Sequence, residues 1–193
     1  KIKLNSPVTQ VTRTKHGVSV TANGSSEIYD HVIIATHSDQ ALEMLNDADE
    51  KEKAILGAIG YQKNSVVLHT DERMMPRRRA TWSSWNYQLP KDKNEPPVLT
   101  YAMNILQNIK SDTQFFVTLN AAAHIDPAKV LGQYEYAHPV FSRSSIKAQQ
   151  QWDSINGVNR TWFCGAYWHN GFHEDGVNSG RRIAEALGIN LDE

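Results

Sequence analysis

Apolar positions along this chain fall into short β-branched runs and a few helical stripes, with polar turns between them. In residues 1–35, Val8, Val11, Val18 and Val20 sit in strand-like runs broken by Lys15-His16-Gly17 and Ala22-Asn23-Gly24, which are turn-forming triplets. The continuous apolar run Val32–Ala35 suits a strand buried on both faces. Ser38 or Asp39 is placed to cap a helix through Leu42 and Leu45, and a second helix is expected from Asp49 to Ala58. Further strands are expected at Tyr61–Thr70, Trp82–Tyr87, Val98–Met103, Phe115–Leu119 and Leu131–Ala137. Met75–Arg79 reads as a basic loop, Leu89–Pro97 as a polar loop and Ser142–Gln151 as a helix. The last forty or so residues read as strand Thr161–Gly165, loop Ala166–Glu174, and a helix opened by Asp175 or Asn178. That helix carries Ile183, Ala184 and Leu187 on one face and ends near Gly188. A strand-rich middle between two α/β-like ends predicts an α+β fold, with one domain inserted into a split one.

Composition narrows the classes without choosing among them. The 193 residues are 40% hydrophobic and 21% charged with a formal net charge of -1, which argues against a nucleic-acid-binding field. No run approaches the roughly 18 apolar residues of a membrane span, and no signal peptide is evident. The single cysteine, Cys164, excludes an internal disulfide and makes a reducing cytoplasm the expected compartment. The chain opens in a strand-like run, Lys1-Ile2-Lys3-Leu4, without an initiator Met, and so reads as a fragment of a longer protein.

The strand, glycine-bearing loop and helix at the carboxy end form an arrangement suited to an anionic or electron-rich ligand. Unpaired backbone N–H groups at a helix start face such a ligand, and the helix dipole favours negative charge there. Gly176 and Gly180 would let the backbone come close, although the same pattern also describes an ordinary strand–loop–helix connection.

Thr161-Trp162-Phe163-Cys164-Gly165-Ala166-Tyr167, followed by Gly171–Ala186, resembles the carboxy-terminal flavin motif of the amine-oxidase and phytoene-desaturase superfamily. The wider chain resembles bacterial NAD/FAD-binding, amine-oxidase-like proteins. The matching stretches are Ile33–Leu42, Met75–Arg79, Ser84–Tyr87, Tyr136–Phe141 and Trp162–Ser179. This resemblance implies an FAD-dependent oxidoreductase acting on a small-molecule or lipid substrate. It implies partial, Rossmann-like FAD-binding elements at 1–40 and 156–193, and a mixed β-sheet substrate domain with flanking helices at 41–155. Val8, Ala35, Thr36, Gly165, Ala166, Phe172, Asp175, Gly176, Val177 and Ser179 would then lie along the cofactor. Trp85, Tyr87, Tyr101, Tyr136, His138 and His173 would line the substrate pocket. No side chain is assigned the catalytic step, because the flavin carries the chemistry.

The chain departs from the family pattern in three places. Ala166 stands where many relatives carry an acidic residue, no lysine can be assigned near the flavin, and no Gly-x-Gly-x-x-Gly occurs. The fragment is therefore expected to bind FAD weakly or not at all, and apolar surface left bare would favour a homodimer. The alternatives are a non-catalytic interaction module, as a degenerate flavoprotein half, and an oxidase or desaturase of lipid acyl chains.

Rival readings attach to single residues. His169, His173, Glu174 and Asp175 have the types of a metal site, but Gly171 disfavours the helix such spacing needs, so no metal is expected. Cys164 reads as a small buried hydrophobe rather than a nucleophile. Arg77-Arg78-Arg79 near Trp82 and Trp85 is a solvated loop or an anion site before it is a nucleic-acid site. Trp85 and Tyr87 share a strand face, and with Tyr101, Tyr136 and His138 they serve either a sheet core or a substrate wall.

Overall fold

The computed structural model describes residues 1–90 and 97–189, so residues 91–96 of the expected Leu89–Pro97 loop lie outside the described residues. The fold is α+β, with three sheets and five α-helices among the described residues. Two compact units divide the chain: Lys1–Tyr61 with Pro139–Glu193, and Gln62–His138.

The first unit opens with an antiparallel sheet of β1 (Val8–Thr14), β2 (Gly17–Ala22) and β3 (Ser25–Tyr29). Asn23 and Gly24, at φ 51° and 74°, close the β2–β3 hairpin, the backbone an Asn-Gly turn favours. A bulge between Val8 and Gln10 bends β1 at the sheet edge. β4 (Val32–Ile34) pairs in parallel with β10 (Thr161–Phe163), a partner far along the chain. Ile34 is buried but Ile33 is 50% exposed, so β4 is not covered on both faces as its apolar run suggested.

Helices α1 (Ser38–Met44), α2 (Glu50–Leu56), α4 (Arg143–Gln149) and α5 (His173–Ala186) complete this unit. α1 is preceded by His37 as its N-cap, so Ser38 and Asp39 are its first helical residues rather than its cap. The α2 start matches expectation: the Asp49 carboxylate accepts from Glu52 N, and Glu52 accepts from Asp49 N in return. Glu52, 2% exposed, also takes a forked ion pair from Arg13 of β1 at 2.7 and 2.9 Å, which pins β1 to α2. α5 starts two residues before the expected Asp175, with Phe172 as its N-cap residue. The core joins Val11, Val18, Ile34, Leu45, Leu56, Ile155, Phe163 and Ile183. The segments expected to open and close a domain at 41–155 thus supply Leu45, Leu56 and Ile155 to the core of the first unit.

The second unit is built on a five-stranded sheet in the order β6-β7-β8-β5-β9. Its strands are β5 (Gly60–His69), β6 (Trp85–Gln88), β7 (Val98–Ala102), β8 (Phe116–Leu119) and β9 (Val130–Val140), with the short helix α3 (Met103–Leu106) after β7. β6 starts three residues later than expected because Trp82 lies in a turn, its indole N–H bonded to the Pro76 carbonyl at 2.8 Å. β9 extends beyond the expected Leu131–Ala137 at both ends. One face of the sheet packs Phe116 and Ala102 with Met75 and Trp82. Beside them runs a buried polar line in which His69 Nε2 meets Thr118 Oγ1 at 2.7 Å and Thr118 meets Thr100 Oγ1 at 2.9 Å. Among the described residues, no helix is long and apolar enough to cross a membrane.

Candidate functional site

Ligands of parallel α/β arrangements gather beyond the carboxyl ends of the strands. In the first unit both parallel strands end in a turn into a helix. β4 passes through Ala35, Thr36 and His37 into α1, while β10 passes through Gly165 and one 3-10 turn, Ala166–Trp168, toward α5. Ala35 and Thr36 are exposed, and Gly165 and Ala166 are half-buried.

Gly165 adopts φ 157° and ψ 160°, a backbone open essentially to glycine. A Cβ placed there would stand 2.5 Å from Cε1 of Tyr167, which is itself buried in the core. The Gly165 N–H donates to Ser179 Oγ at 2.8 Å, and the Ser179 hydroxyl donates to the Gly176 carbonyl at 2.8 Å. Ser179 is therefore a buried brace between the β10 turn and α5. Asp175 serves the loop in a similar way, accepting from Phe172 N at 2.9 Å and Asn170 N at 3.2 Å. Gly176 passes close to the Ala166 turn, where an added Cβ would lie 3.8 Å from Ala166 N. Phe172, His173 and Val177 are exposed at the helix start.

A cavity of about 270 Å³ lies along this helix, lined by Trp152, Trp168, Asp175, Ser179 and Arg182 among others. The Arg182 guanidinium covers the Trp152 ring at 3.8 Å and pairs with Asp153 at 2.7 Å. Burial pushes the Cys164 thiol up, which keeps it in the unreactive protonated form expected of a small core hydrophobe. Burial also holds the Tyr167 phenol far above its ordinary value. Val8 is 38% exposed on the bulged edge strand, in a groove of about 740 Å³ that Val20, Ala22, Tyr29, Lys3 and Glu27 share.

In the second unit, strand register decides which expected pocket residues meet. Trp85 pairs with Tyr101, Tyr87 with Leu99, Tyr101 with Val117, and Val117 with Leu68. Paired residues point to one side, so Trp85, Tyr87, Leu99, Tyr101, Val117, Leu119, Val66 and Leu68 share a face, opposite Phe116 and His69. Alternation puts Asn64 on that face as well, and its side chain meets His138 Nδ1 at 3.0 Å. The same alternation along β9 adds Tyr134 and Tyr136, whose rings stack at 5.8 Å and 3°. Five of the six expected pocket residues thus occupy one face of one sheet. The sixth, His173, belongs to α5 of the first unit.

The face is aromatic, with Trp85 48%, Tyr87 61%, Tyr134 50% and Tyr136 53% exposed. Trp85 meets Tyr101 edge-on at 5.2 Å, and burial raises the Tyr101 phenol. Sequence reasoning missed Asn64, Asn120 and Tyr134. Asn64 stands among the polar Gln62, Lys63 and Ser65 and gave no signal, whereas the two-residue spacing from Tyr136 was the signal for Tyr134.

The basic loop forms a separate feature. Arg79 lies 4.9 Å from the Trp82 ring and pairs with Glu72, beside a cavity of about 490 Å³ that Arg73 and Arg77 help line. No group of three or more His, Cys, Asp or Glu side chains that could hold a metal occurs among the described residues. The exposed His169 instead stands 3.6 Å from the largely buried carboxylate of Asp175 in the first turn of α5.

The sequence matches the family described as flavin containing amine oxidoreductase over residues 1–109. No curated protein matches it. Its fold is shared by a CLA-producing fatty acid isomerase from P. acnes, at 14% identity and TM-score 0.62, covering 96% of this chain and 48% of that one. It is also shared by putrescine oxidase bound to putrescine, at 15% identity and TM-score 0.60, covering 95% of this chain and 48% of that one. Reduced UDP-galactopyranose mutase matches at 12% identity and TM-score 0.61, covering 99% of this chain and 48% of that one. At these identities the likeness is one of fold alone, and the chain spans about half the length of these structures.

Proposed function

The chain belongs to the flavin containing amine oxidoreductase family, and on that premise we propose that it is part of an FAD-dependent oxidoreductase that oxidises an organic substrate by hydride transfer to the flavin. One observation carries the reading: both strands of the parallel pair β4–β10 end in turns that lead to helix starts, and the β10 turn passes through a glycine that no other residue can replace without collision. These residues suit a flat, electron-rich group. The exposed backbone at Ala35–Thr36 and the half-buried Gly165–Ala166 turn, with the early part of α5 at Gly176 and Val177, would hold it. Val8 would meet its adenosine end. FAD, when bound, supplies the two-electron acceptor.

The chain's own residues bind, orient and exclude water. Ser179 and Asp175 keep the β10 turn and the α5 start in register, and Phe172 and Val177 offer apolar cover. The aromatic sheet face of Trp85, Tyr87, Tyr101, Tyr134, Tyr136 and His138 receives the substrate's non-reacting part.

The test is the visible spectrum of the complete protein, loaded with FAD and mixed anaerobically with candidate substrates. Flavin bands that bleach on addition of an oxidisable substrate support the reading. A folded protein that takes up no FAD refutes it and leaves a non-catalytic interaction module.

A further inference from the structure

The sheet face of the second unit carries a hydrogen-bond donor whose direction can be derived. The Asn64 Nδ2 group donates to the Gln62 carbonyl at 2.9 Å, and Asn64 Oδ1 accepts from Asn120 Nδ2 at 3.0 Å. A flipped Asn64 amide would set oxygen against the Gln62 carbonyl and nitrogen against the Asn120 amide nitrogen, so its orientation is fixed. Asn120 is held the same way round, because its Nδ2 also reaches the Pro97 carbonyl at 3.5 Å. The second hydrogen of Asn64 Nδ2 therefore faces His138 Nδ1, 3.0 Å away. Nδ1 must accept, and the proton of the neutral imidazole resides on Nε2. Asn64 is buried while the His138 ring is exposed, so the chain of amides ends in an outward Nε2–H with no partner among the described residues.

The surroundings limit what this donor can meet. No Asp, Glu, Lys or Arg stands among the described strand positions of this face. The Lys63–Glu135 pair occupies positions of opposite alternation. Two positions along β9 from His138 begins the stacked pair Tyr136 and Tyr134. An ammonium ion would find N–H against N–H here, with no carboxylate among the described strand positions of this face to balance its charge. A free amine that accepted this bond would commit the lone pair that its own oxidation requires.

We propose that His138 is a specificity-determining donor, and that the ligand of this face has an uncharged apolar or aromatic body ending in an acceptor oxygen: a carboxylate, carbonyl or hydroxyl. The inference rests on the reading that this face receives the substrate, and it names the substrate's chemistry.

Two measurements on the complete protein test it, neither requiring turnover. In a ¹⁵N-histidine spectrum, with His138 assigned by its loss in His138→Gln, the ring should show an unprotonated Nδ1 and a protonated Nε2. Asn64→Asp, which replaces the donor with a carboxylate, should move the proton to Nδ1. Calorimetric titration then compares phenylacetate, phenylethanol and phenethylamine, which share an aromatic body and differ in head group. Phenylacetate and phenylethanol should bind, and phenylacetate should lose roughly ten- to hundredfold in affinity in His138→Phe, the range of one hydrogen bond to a charged group. His138→Gln, which keeps an N–H donor, should hold most of that affinity. A proton on Nδ1 in the unaltered protein overturns the proposal, as does tighter binding of phenethylamine or equal binding of phenylacetate to His138→Phe. Failure of the flavoenzyme reading shows separately, as absent FAD uptake. If FAD binds and an amine bleaches it equally well in His138→Phe, the proposal fails while the oxidoreductase reading stands.

Discussion

Gly165→Ala is the substitution for which the structure gives the largest effect near the β10 turn. The new methyl carbon would lie 2.5 Å from Tyr167 Cε1 and 2.7 Å from Cδ1, well inside contact distance. Tyr167 cannot swing away, being 3% exposed and packed against the core that contains Phe163 and Ile183. Overpacking of this kind costs about 1–3 kcal/mol, and holding alanine at this φ adds about 1–3 kcal/mol. If the turn relaxes to relieve both, it gives up the Gly165–Ser179 hydrogen bond, worth about 1 kcal/mol. These responses substitute for one another, so the expected net loss is about 3 kcal/mol. With a urea slope of about 2 kcal/mol per molar, the midpoint should fall by roughly 1.5 M. Tryptophan fluorescence reports this unit through Trp152, Trp162 and Trp168, all members of its core. Gly60→Ala is the control, because an added Cβ there meets nothing within 4 Å, and it should shift stability by less than about 0.5 kcal/mol. A Gly165→Ala midpoint within about 0.3 M of the parent would refute the claim that the turn is sterically locked. FAD uptake should weaken in the same variant.

Two further outcomes follow from the second unit. The buried Asp71 carboxylate is held well below the usual range, first by the hydrogen bonds from the Arg73 guanidinium and then by the backbone N–H groups of Asp126 and Arg73. A depressed folded pKa means the unfolded chain takes up protons first. This contribution is therefore complete above the unfolded value of about 3.9 and is lost as pH falls through that value toward the folded one. Asp71→Asn should flatten the acid limb of stability below about pH 4 and cost about 2 kcal/mol at neutral pH, read from acid and urea titrations; an unchanged acid limb refutes it. Gly132→Ala would bring a methyl group 2.6 Å from the Tyr134 hydroxyl, and because that ring is half exposed it should swing aside for less than about 1 kcal/mol. The loss of the Tyr134–Tyr136 stack should weaken phenylethanol binding several-fold, and unchanged affinity in calorimetry would show that the platform is not used.

Much of the fold was legible because its determinants are local. The Asn23-Gly24 turn, the helix start at Asp49 and the β-branched runs each act within a few residues, and the structure uses them as read. The misplacements also have physical causes. The start of α5 was set two residues late because Asp175, a cap-type residue, reaches back from the third helical position to the Phe172 N–H. β4 was expected to be covered on both faces because Val32–Ala35 is apolar throughout, yet an apolar run does not reveal how many strands flank it. The aromatic face was half legible: the spacing of Trp85 and Tyr87 showed a shared side, whereas the register that adds Tyr101 and Val117 is a long-range property.

The polar trio lies furthest from what a sequence can show. Asn120 and Asn64 are 56 positions apart, and Asn64 and His138 are 74 apart, so no local pattern relates them. Each residue taken alone has an ordinary explanation as a turn, a strand defect or a surface histidine. Their meaning arises only when three strands or their ends converge, because then the backbone carbonyl of Gln62 dictates one amide, that amide dictates a tautomer, and the tautomer dictates what a ligand must offer. The same fold is shared by a fatty acid isomerase, putrescine oxidase and UDP-galactopyranose mutase, so fold alone does not select a substrate. On the proposed reading selection comes from residues that face the ligand without touching the cofactor, and on this chain the outward Nε2–H of His138 is the group on the aromatic face whose polarity follows from its neighbours.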